Sequence, residues 1–260
     1  MKKEELYRFV DHTALKAVTT WNEIQQLCQE ARFFRMASVC IPSSYVKRAH
    51  EYFPELNICT VVGFPLGNAS TEAKLAETRQ ALEDGANEID MVINLGMVKN
   101  QQYSQVTEEI RLLKEATGDK ILKVIIENCY LTEEEKIRMC EAVTEAGADF
   151  IKTSTGFGTG GATLEDVILM KQHVGPNVKI KAAGGIRSKE DMGTVYRCRM
   201  QPDRYKQCNC NVAGRRIRWS SQTDSEGKES KRTGLCSLLR FSCRSGIAVQ
   251  RRYDIYRVQY

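Results

Sequence analysis

The feature that most constrains the fold of this chain is a regular alternation of short β-rich runs with amphipathic helical stretches over its first 190 residues. Seven runs are typical of strands, and they cover residues 9–13, 37–41, 58–63, 88–93, 122–126, 149–153 and 178–182. Helical patterns between them include residues 21–33, 71–84, 105–116 and 132–146. Such alternation indicates a parallel sheet covered by helices. Since no dinucleotide-binding glycine fingerprint accompanies it, the pattern favours a TIM (β/α)₈ barrel, which typically has ~250 residues.

Helix boundaries are also marked in the sequence. Thr132 and Glu135 have the spacing of a capping box, in which the two side chains satisfy backbone N–H groups at a helix start. Three helical patterns are each followed by a glycine, at Gly85, Gly118 and Gly147. Glycine adopts the left-handed conformation that commonly follows a helix, so we expect the helices to end there.

Charge divides the chain into two unlike parts. Residues 1–190 carry 23 Lys and Arg against 27 Asp and Glu, which is a net charge of −4. Residues 191–260 carry 15 against 6, which is a net charge of +9. We therefore expect a barrel domain over residues 1–191 and a separate basic tail over residues 192–260, which we predict to be poorly ordered.

Cysteine usage and hydropathy bear on the cellular location. Five of the ten cysteines are scattered among apolar neighbours in the first 190 residues, which indicates reduced thiols and a cytoplasmic protein. No run of 18 apolar residues occurs, so a membrane-spanning helix is not expected. The polar start of the chain does not lead into an apolar core, so a secretory signal is not expected either.

Four charged residues interrupt the apolar strands, namely Asp11, Asp90, Lys152 and Lys181. A single charged residue of this kind is explained equally well by a structural role as by a functional site. It can form a salt bridge across the barrel interior, or, if it is a lysine, extend its head group to the rim. Two lysines and two aspartates at the carboxyl-terminal ends of the strands favour a functional site, because TIM-barrel active sites gather at that end.

The two lysines suit a specific chemistry. A lysine amine attacks a carbonyl only when neutral, and an ordinary lysine, with a pKa near ~10.4, is almost wholly charged at pH 7. Burial and a second cation nearby both lower the pKa of an amine, so Lys152 and Lys181 on adjacent strands can supply a nucleophile and its electrostatic partner. A carboxylate within reach can carry a proton.

A glycine-rich segment follows each lysine. Gly156 lies after Lys152, and the pair Gly184–Gly185, followed by Arg187, lies after Lys181. Small residues allow backbone N–H groups to approach an anion, and barrels often bind phosphate in the loops after strands seven and eight. Tight turns also contain such glycines, so their presence alone does not indicate phosphate binding. Their position directly after charged strand ends does favour it.

The order and spacing of six segments carry a family resemblance. They are Asp11-His12-Thr13-Ala14-Leu15, residues 61–67 (VVGFPLG), residues 88–94 (EIDMVIN), residues 123–127 (KVIIE), residues 150–157 (FIKTSTGF) and residues 179–187 (KIKAAGGIR). Over residues 5–191 the chain resembles the bacterial deoxyribose-phosphate aldolases. The resemblance implies a TIM barrel that uses no cofactor or metal.

The resemblance also implies a reaction and roles for the site residues. A class I aldolase of this kind reversibly cleaves 2-deoxyribose 5-phosphate to glyceraldehyde 3-phosphate and acetaldehyde. Lys152 would form the Schiff base, Lys181 would keep Lys152 neutral and Asp90 would relay protons. Asp11 would organise the polar network, while the phosphate would be held by Gly156, Gly184, Gly185 and Arg187. The expected partners are a phosphorylated sugar and aldehydes, without nucleic acid or membrane, and homo-oligomerisation is left open.

The resemblance stops at residue 191. The family continues with a helix, an eighth strand and a Gly-Thr-Ser segment, whereas residues 192–260 are basic, rich in cysteine and without apolar periodicity. Reading codons for residues 192–210 one nucleotide later permits Ile-Gly-Thr-Ser over residues 203–206, where the family register places it. We therefore hypothesise a frameshift in the gene, or an error in its sequencing, near residues 191–192, which resequencing of the locus tests.

The altered tail has structural consequences for the expected fold. We expect the eighth strand to be missing or replaced by the out-of-frame tail, and a barrel without its eighth strand keeps two open sheet edges. Cys208 and Cys210 have no matching pair at zinc-like spacing, and Arg215–Arg218 is better explained by the shifted frame than by nucleic-acid binding.

Two alternative functions remain open. One is another phosphate-binding Schiff-base barrel enzyme. The other is a catalytically dead product whose basic tail binds nucleic acid nonspecifically. Among the remaining residues, we expect His12 to be structural, Cys40 to be a buried small residue and Glu127 to pair with a site lysine.

Overall fold

The computed structural model describes residues 6–185 and 257–259, and its centre is a ring of parallel strands. The strands are β1 (Val10–Thr13), β2 (Ser38–Ile41), β3 (Ile58–Val62), β4 (Glu88–Val92), β5 (Ile121–Ile125), β6 (Phe150–Lys152), β7 (Lys179–Ala182) and β8 (Arg257–Gln259). Each strand pairs in parallel with the next along the chain. The seven strands predicted from the sequence are confirmed, with each end within one residue.

The eighth position of the ring is occupied by residues from the tail. Strand β8 pairs with β7, with Arg257 opposite Lys181, and with β1, with Gln259 opposite Asp11. The expectation of two open sheet edges was therefore wrong. A backbone ladder requires only N–H and C=O groups, so a segment without family-like side chains can complete it. The rest of the predicted tail, residues 192–256 and 260, lies outside the described residues.

Helices between successive strands form the outer layer. They are α1 (Trp21–Phe34), α2 (Val46–Tyr52), α3 (Thr71–Glu83), α4 (Leu95–Lys99), α5 (Tyr103–Thr117), α6 (Glu133–Glu145) and α7 (Leu164–His173). The predicted capping box at Thr132 and Glu135 is present at the start of α6. Gly118 and Gly147 follow their helices with φ of +57° and +73°, as expected for helix ends.

The two faces of each strand meet different environments. In β4, Ile89 and Met91 belong to the apolar core between strands and helices. Asp90, between them in sequence, contacts lysines inside the barrel. Because side chains alternate across a strand, the apolar residues bury the sheet under the helices while every second residue is available for the barrel interior.

No helix among the described residues is long and apolar enough to cross a membrane.

Candidate active site

The barrel interior brings Lys152, Lys181 and Asp90 into contact. Lys152 ends β6 and stands in register with Lys181 on β7. The Lys152 ammonium nitrogen lies 2.6 Å from Asp90 Oδ2, and that of Lys181 lies 3.1 Å from the same oxygen. All three side chains are fully buried. A single carboxylate oxygen thus links the two lysines.

Asp11 joins this group from β1. Its Oδ2 accepts a short hydrogen bond from Lys181 Nζ and lies 3.3 Å from Lys123 Nζ. The structure therefore brings the predicted network residue Asp11 together with the predicted catalytic residues.

Sequence analysis missed Lys123, which is the third lysine of the site. Lys123 lies on β5, in register with Asp90, and its Nζ is 2.7 Å from Asp90 Oδ1 and 2.6 Å from Glu88 Oε2. The same signal that identified Lys152, a charged residue inside an apolar strand, was present at Lys123. Glu88 carried a weaker signal because it is the first residue of its strand.

The network sets the pKa of Lys152 and of Lys181 in opposite directions. Burial lowers the pKa of Lys152, Asp90 opposes this effect, and the Lys181 ammonium lowers the pKa further. Burial alone would also lower the pKa of Lys181, but Asp11 and Asp90 outweigh it and raise that pKa. Lys152 is therefore the amine that loses its proton more easily, while Lys181 keeps its own.

Asp90 stays ionised because it is surrounded by cations. Burial on its own would raise its pKa, but Lys123, Lys152 and Lys181 together hold that pKa well below its ordinary value. The pKa of Lys123 is raised well above its ordinary value, because Asp11 and Asp90 outweigh the effect of burial. The site thus consists of fixed charges around one titratable amine.

The predicted phosphate-binding glycines also come together. Gly156, Gly184 and Gly185 have φ of +87°, +76° and +79°, which is the region that favours glycine. A Cβ on Gly184 would lie 3.5 Å from the Gly156 Cα. The two loops after β6 and β7 therefore approach each other closely at the mouth of the barrel.

Gly161, which sequence analysis did not single out, is required for this approach. A Cβ at position 161 would lie 2.3 Å from the Gly184 carbonyl oxygen. Ala162 N donates hydrogen bonds to the carbonyl oxygens of Ala183 and Gly184, both at 3.0 Å. Arg187, the remaining predicted phosphate residue, lies outside the described residues.

Glu127 has a different partner from the one expected. Its carboxylate accepts hydrogen bonds from the backbone N–H and the hydroxyl of Thr155, and no lysine in the described part of the chain forms an ion pair with it. Thr155 Oγ1 in turn accepts from Phe157 N at 3.0 Å. Glu127 therefore holds the loop after β6 through Thr155.

Buried polar atoms without a described partner lie next to these loops. Within the described part of the chain, Ser154 Oγ and both side-chain polar atoms of Asn128 make no hydrogen bond, although both residues are buried. They follow β6 and β5 at the carboxyl-terminal end of the barrel. Such groups can bond to a ligand's hydroxyls.

The other two residues weighed from the sequence behave as expected. His12 points away from the site, with its Nε2 2.8 Å from Glu30 Oε2 on α1. Cys40 is fully buried and belongs to a small apolar cluster with Cys59 and Val61 inside the barrel, against which Phe64 packs.

Comparison with known proteins agrees with this geometry. The model of the DeoC/LacD family aldolases matches residues 7–217. A deoxyribose-phosphate aldolase from Clostridium botulinum (strain Alaska E43 / Type E3) is 67% identical over 193 residues, which are 74% of this chain and 87% of that protein. A deoxyribose-phosphate aldolase from Clostridioides difficile (strain 630) is 60% identical over 189 residues, which are 72% of this chain and 86% of that protein.

Solved structures give the same result. The aldolase QR15 is 38% identical with a TM-score of 0.72, and the alignment covers 74% of this chain and 87% of QR15. A tetrameric deoxyribose phosphate aldolase from Aeropyrum pernix is 30% identical with a TM-score of 0.67, covering 74% of this chain and 83% of the other. Because the family model spans most of its length and relatives share well over half of their aligned residues with it, this chain belongs to the DeoC/LacD family of aldolases.

Proposed function

We propose that the chain is a class I aldolase that reversibly cleaves 2-deoxyribose 5-phosphate to glyceraldehyde 3-phosphate and acetaldehyde through a Schiff base at Lys152. The observation that carries the proposal is a buried amine with a lowered pKa, in contact with one described carboxylate and beside a second, charged lysine. The name shared by the Clostridium botulinum and Clostridioides difficile relatives supports the choice of substrate.

The first steps use Lys152 as a nucleophile. Its neutral Nζ attacks the aldehyde carbon C1 of the open-chain sugar, and the resulting carbinolamine loses water to give a protonated imine. A base then removes the proton of the C3 hydroxyl, the C2–C3 bond breaks, and its electron pair moves toward the iminium to give an enamine. Glyceraldehyde 3-phosphate leaves as the aldehyde product.

The last steps need a proton donor and water. The enamine is protonated at C2, and water hydrolyses the imine to release acetaldehyde and restore Lys152. Asp90 Oδ2 lies 2.6 Å from the Lys152 nitrogen, which supports a role for Asp90 in relaying protons to and from the substrate bound at Lys152. Lys181 keeps its proton, which supports its role as the cation that favours neutral Lys152.

The phosphate is assigned to the glycine-lined mouth. The phosphate would approach the backbone N–H groups of the two loops that hold the left-handed glycines Gly156, Gly184 and Gly185. The Cβ position of Gly156 has no atom within 4 Å. By the family resemblance, Arg187 would add a charged contact, and Asp11 would keep the polar network in place. The buried hydroxyl of Ser154 and the amide of Asn128 are available to the sugar hydroxyls.

The proposal is tested by trapping the imine. Borohydride reduction of the full chain with acetaldehyde, followed by peptide mass mapping, is expected to give a stable adduct on Lys152. Lys152→Met is expected to abolish the adduct, while Lys47→Met, which alters an exposed lysine on α2, keeps it. An adduct elsewhere, or none, would refute the proposed role of Lys152.

Two further assays separate the alternatives. Another phosphate-binding Schiff-base barrel enzyme would form the imine but would not cleave 2-deoxyribose 5-phosphate. A catalytically dead chain would form no imine, and a nucleic-acid-binding tail would show strongly salt-dependent binding of DNA or RNA. The proposal predicts cleavage of the sugar phosphate and no such binding.

The proposal includes a cytoplasmic, homo-oligomeric protein. All five cysteines in the described part of the chain are free thiols, which suits a reducing compartment. The Aeropyrum pernix relative is a tetramer, which supports self-association. Cell fractionation and light scattering of the purified chain test the two statements.

A further inference from the structure

Cys40 and Cys59 place two thiols side by side inside the barrel. Cys40 on β2 stands in register with Cys59 on β3, so the two side chains leave neighbouring strands on the same face of the sheet. Neighbouring strands lie ~4.8 Å apart, which is within the ~4.4–6.8 Å between Cα atoms that a disulfide requires. Both side chains are fully buried. The proposed mechanism gives the pair no role.

The two sulfur atoms are close to each other and to the proposed active site. Sγ of Cys40, Sγ of Cys59 and a carboxylate oxygen of Asp90 all lie within 4.8 Å of one another. The two thiols are hydrogen-bonded to each other, and both are free. Because the S–S bond of a disulfide is ~2.05 Å long, a short movement of the side chains is enough to join them.

The two thiols differ in acidity, which gives them different parts in an oxidation. The hydrogen bond with Cys59 lowers the pKa of Cys40, against the opposing effects of burial and of the Asp90 carboxylate. Positive charge on Lys152 and Lys181 lowers the pKa of Cys40 further. Burial, in contrast, raises the pKa of Cys59 well above its ordinary value. Because the thiolate is the form that reacts with an oxidant, Cys40 reacts first and Cys59 is the neighbour that completes a disulfide.

A small oxidant can reach this pair by the route that the proposed function requires. Lys152 is fully buried, yet it must meet an aldehyde. Cys40 is close enough to Lys152 for its charge to raise the pKa of that amine. Hydrogen peroxide is no larger than acetaldehyde, so an interior that admits the aldehyde also admits the peroxide. For this route the inference rests on the proposed function.

We propose that Cys40 and Cys59 are an oxidative modification site, in which hydrogen peroxide joins them in a disulfide and thereby reversibly inactivates Lys152. The Cys40 thiolate attacks one peroxide oxygen and the O–O bond breaks, which leaves a sulfenic acid on Cys40. The departing oxygen takes up the proton that Cys40 has lost and leaves as water. Cys59 then attacks the Cys40 sulfur, the S–O bond breaks, and the hydroxide leaves as water with the Cys59 proton. The two thiols lose two electrons, which reduce the peroxide to two molecules of water.

The disulfide acts on Lys152 through Asp90. Cys59 Sγ lies 3.1 Å from Asp90 Oδ1 and 3.2 Å from Lys123 Nζ. In the disulfide, Cys59 has no proton to donate to Asp90, and its sulfur is drawn toward β2. Asp90 is also the carboxylate that contacts Lys152, at 2.6 Å, so the oxidised chain should form the imine more slowly.

The test is stepwise oxidation of the full chain with hydrogen peroxide, which is followed by two measurements. Trypsin separates the cysteines, with Cys40 in residues 36–47 and Cys59 in residues 49–74, so their disulfide gives one linked peptide pair in mass mapping. Acetaldehyde is trapped on Lys152 with cyanoborohydride, which does not reduce disulfides. Trapping should fall as the linked pair accumulates, by ~10-fold or more when oxidation is complete. Dithiothreitol should release the pair and restore trapping.

Two variants show whether the pair is responsible. In excess peroxide the wild type stops at the disulfide and recovers with dithiothreitol. Cys59→Ala leaves Cys40 without its partner, so Cys40 should proceed to the sulfinic acid and the loss of trapping should be permanent. Cys140→Ala is the matched control, because Cys140 is an equally buried thiol on α6 whose pKa burial raises to about 12. It should form the linked pair and lose trapping as the wild type does.

The two measurements separate the inference from the proposed function. Recovery of Cys40 and Cys59 in unlinked peptides after oxidation, or linkage of either one to another cysteine, would overturn the inference. A linked pair that leaves trapping unchanged would overturn it equally. Both results come from the wild type, so they hold even if Cys59→Ala does not fold. Failure of the reduced wild type to form any adduct on Lys152 would instead refute the proposed function, and the peptide map would still decide whether the disulfide forms.

Discussion

Lys123, Lys152 and Lys181 are chemically identical, and their surroundings make them different. Lys181 contacts Asp11 and Asp90, and Lys123 contacts those two and Glu88, whereas Lys152 contacts Asp90 alone among the described carboxylates. In a buried site, each additional carboxylate contact favours the charged amine. The number of carboxylate contacts therefore decides which lysine can act as a nucleophile.

Removing the second lysine should impair the first. Lys181→Met eliminates the cation that lowers the pKa of Lys152, so that pKa rises and less neutral amine is present at pH 7. We expect kcat/KM to fall by ~10²–10⁴-fold. In a plot of kcat/KM against pH, the rise on the acidic side should move to higher pH. Lys179→Met, on the same strand but without an ion pair to this cluster, is the control and should leave the pH profile unchanged. A Lys181→Met profile that does not move would contradict the account.

Removing Asp90 should destabilise the fold. Asp90→Asn leaves three buried lysine side chains without their shared carboxylate, at a cost of about 3–5 kcal/mol in the free energy of unfolding. Glu141→Gln, which breaks an exposed pair with Arg138, should cost less than ~1 kcal/mol in the same urea titration. Equal costs for the two variants would show that the cluster does not depend on Asp90.

The effect of Asp90 on stability should also depend on pH. Its pKa is lowered in the folded state, so its stabilising contribution is fully present above the unfolded value near ~3.9 and is lost as the pH falls through the folded value. The difference in unfolding free energy between wild type and Asp90→Asn should be constant from pH 5 to 7 and shrink below pH 4. A difference that shrank between pH 7 and 5 would contradict this assignment.

Residue patterns predicted part of this site. Asp11, Asp90, Lys152 and Lys181 stand out in the sequence because a charged residue in an apolar strand needs a partner. Lys123 was missed because it was taken as part of the strand pattern. Glu88 was missed because it lies at the start of a strand, where a charged residue does not interrupt the apolar run. Which carboxylate faces which lysine depends on the strand register, and that register is a property of the closed ring.

At the scale of elements, the loops after β6 and β7 determine the shape of the mouth. Gly161 and Gly184 touch through their backbones, and Glu127 holds the β6 loop through Thr155. The sequence predicted the strands well because apolar runs bounded by polar residues are a local signal. It did not predict this loop contact, since two glycines 23 positions apart carry no pattern that pairs them.

Gly161→Ala should weaken recognition of the phosphate. The new Cβ would lie 2.3 Å from the Gly184 carbonyl oxygen, so the loop after β7 must move. We expect kcat/KM for 2-deoxyribose 5-phosphate to fall on the order of 10–100-fold, with a much smaller effect on unphosphorylated 2-deoxyribose. Gly147→Ala is the control, because φ there is +73° but no atom lies within 4 Å, so it should cost stability alone. Equal losses for both sugars would exclude the proposed phosphate role.

At the scale of the whole molecule, the barrel closes with a strand from a part of the chain that does not resemble the family. The sequence predicted a missing or replaced eighth strand, and the structure has Arg257–Gln259 in its place. Closure was not predictable from composition, since three residues form too short a run for a periodic signal. Their pairing with β7 and β1 depends on distant segments.

Deleting residues 257–260 should expose the edges of β1 and β7. Exposed edges pair with other chains, so we expect a lower melting temperature and concentration-dependent light scattering. Deleting residues 1–3, which precede the first described strand in the sequence, is the control. A truncated protein that melts and scatters like the full chain would show that β8 does not contribute to closure in solution.

The account depends most on Lys152 being a neutral amine at working pH. The direct test is the pH dependence of acetaldehyde trapping by borohydride in the full chain, with the adduct quantified on the Lys152 peptide. We predict that the adduct maps to Lys152 and that its formation rises with a midpoint clearly below the ~10.4 of an ordinary lysine. A midpoint at the ordinary lysine value, or an adduct on another residue, would contradict the account.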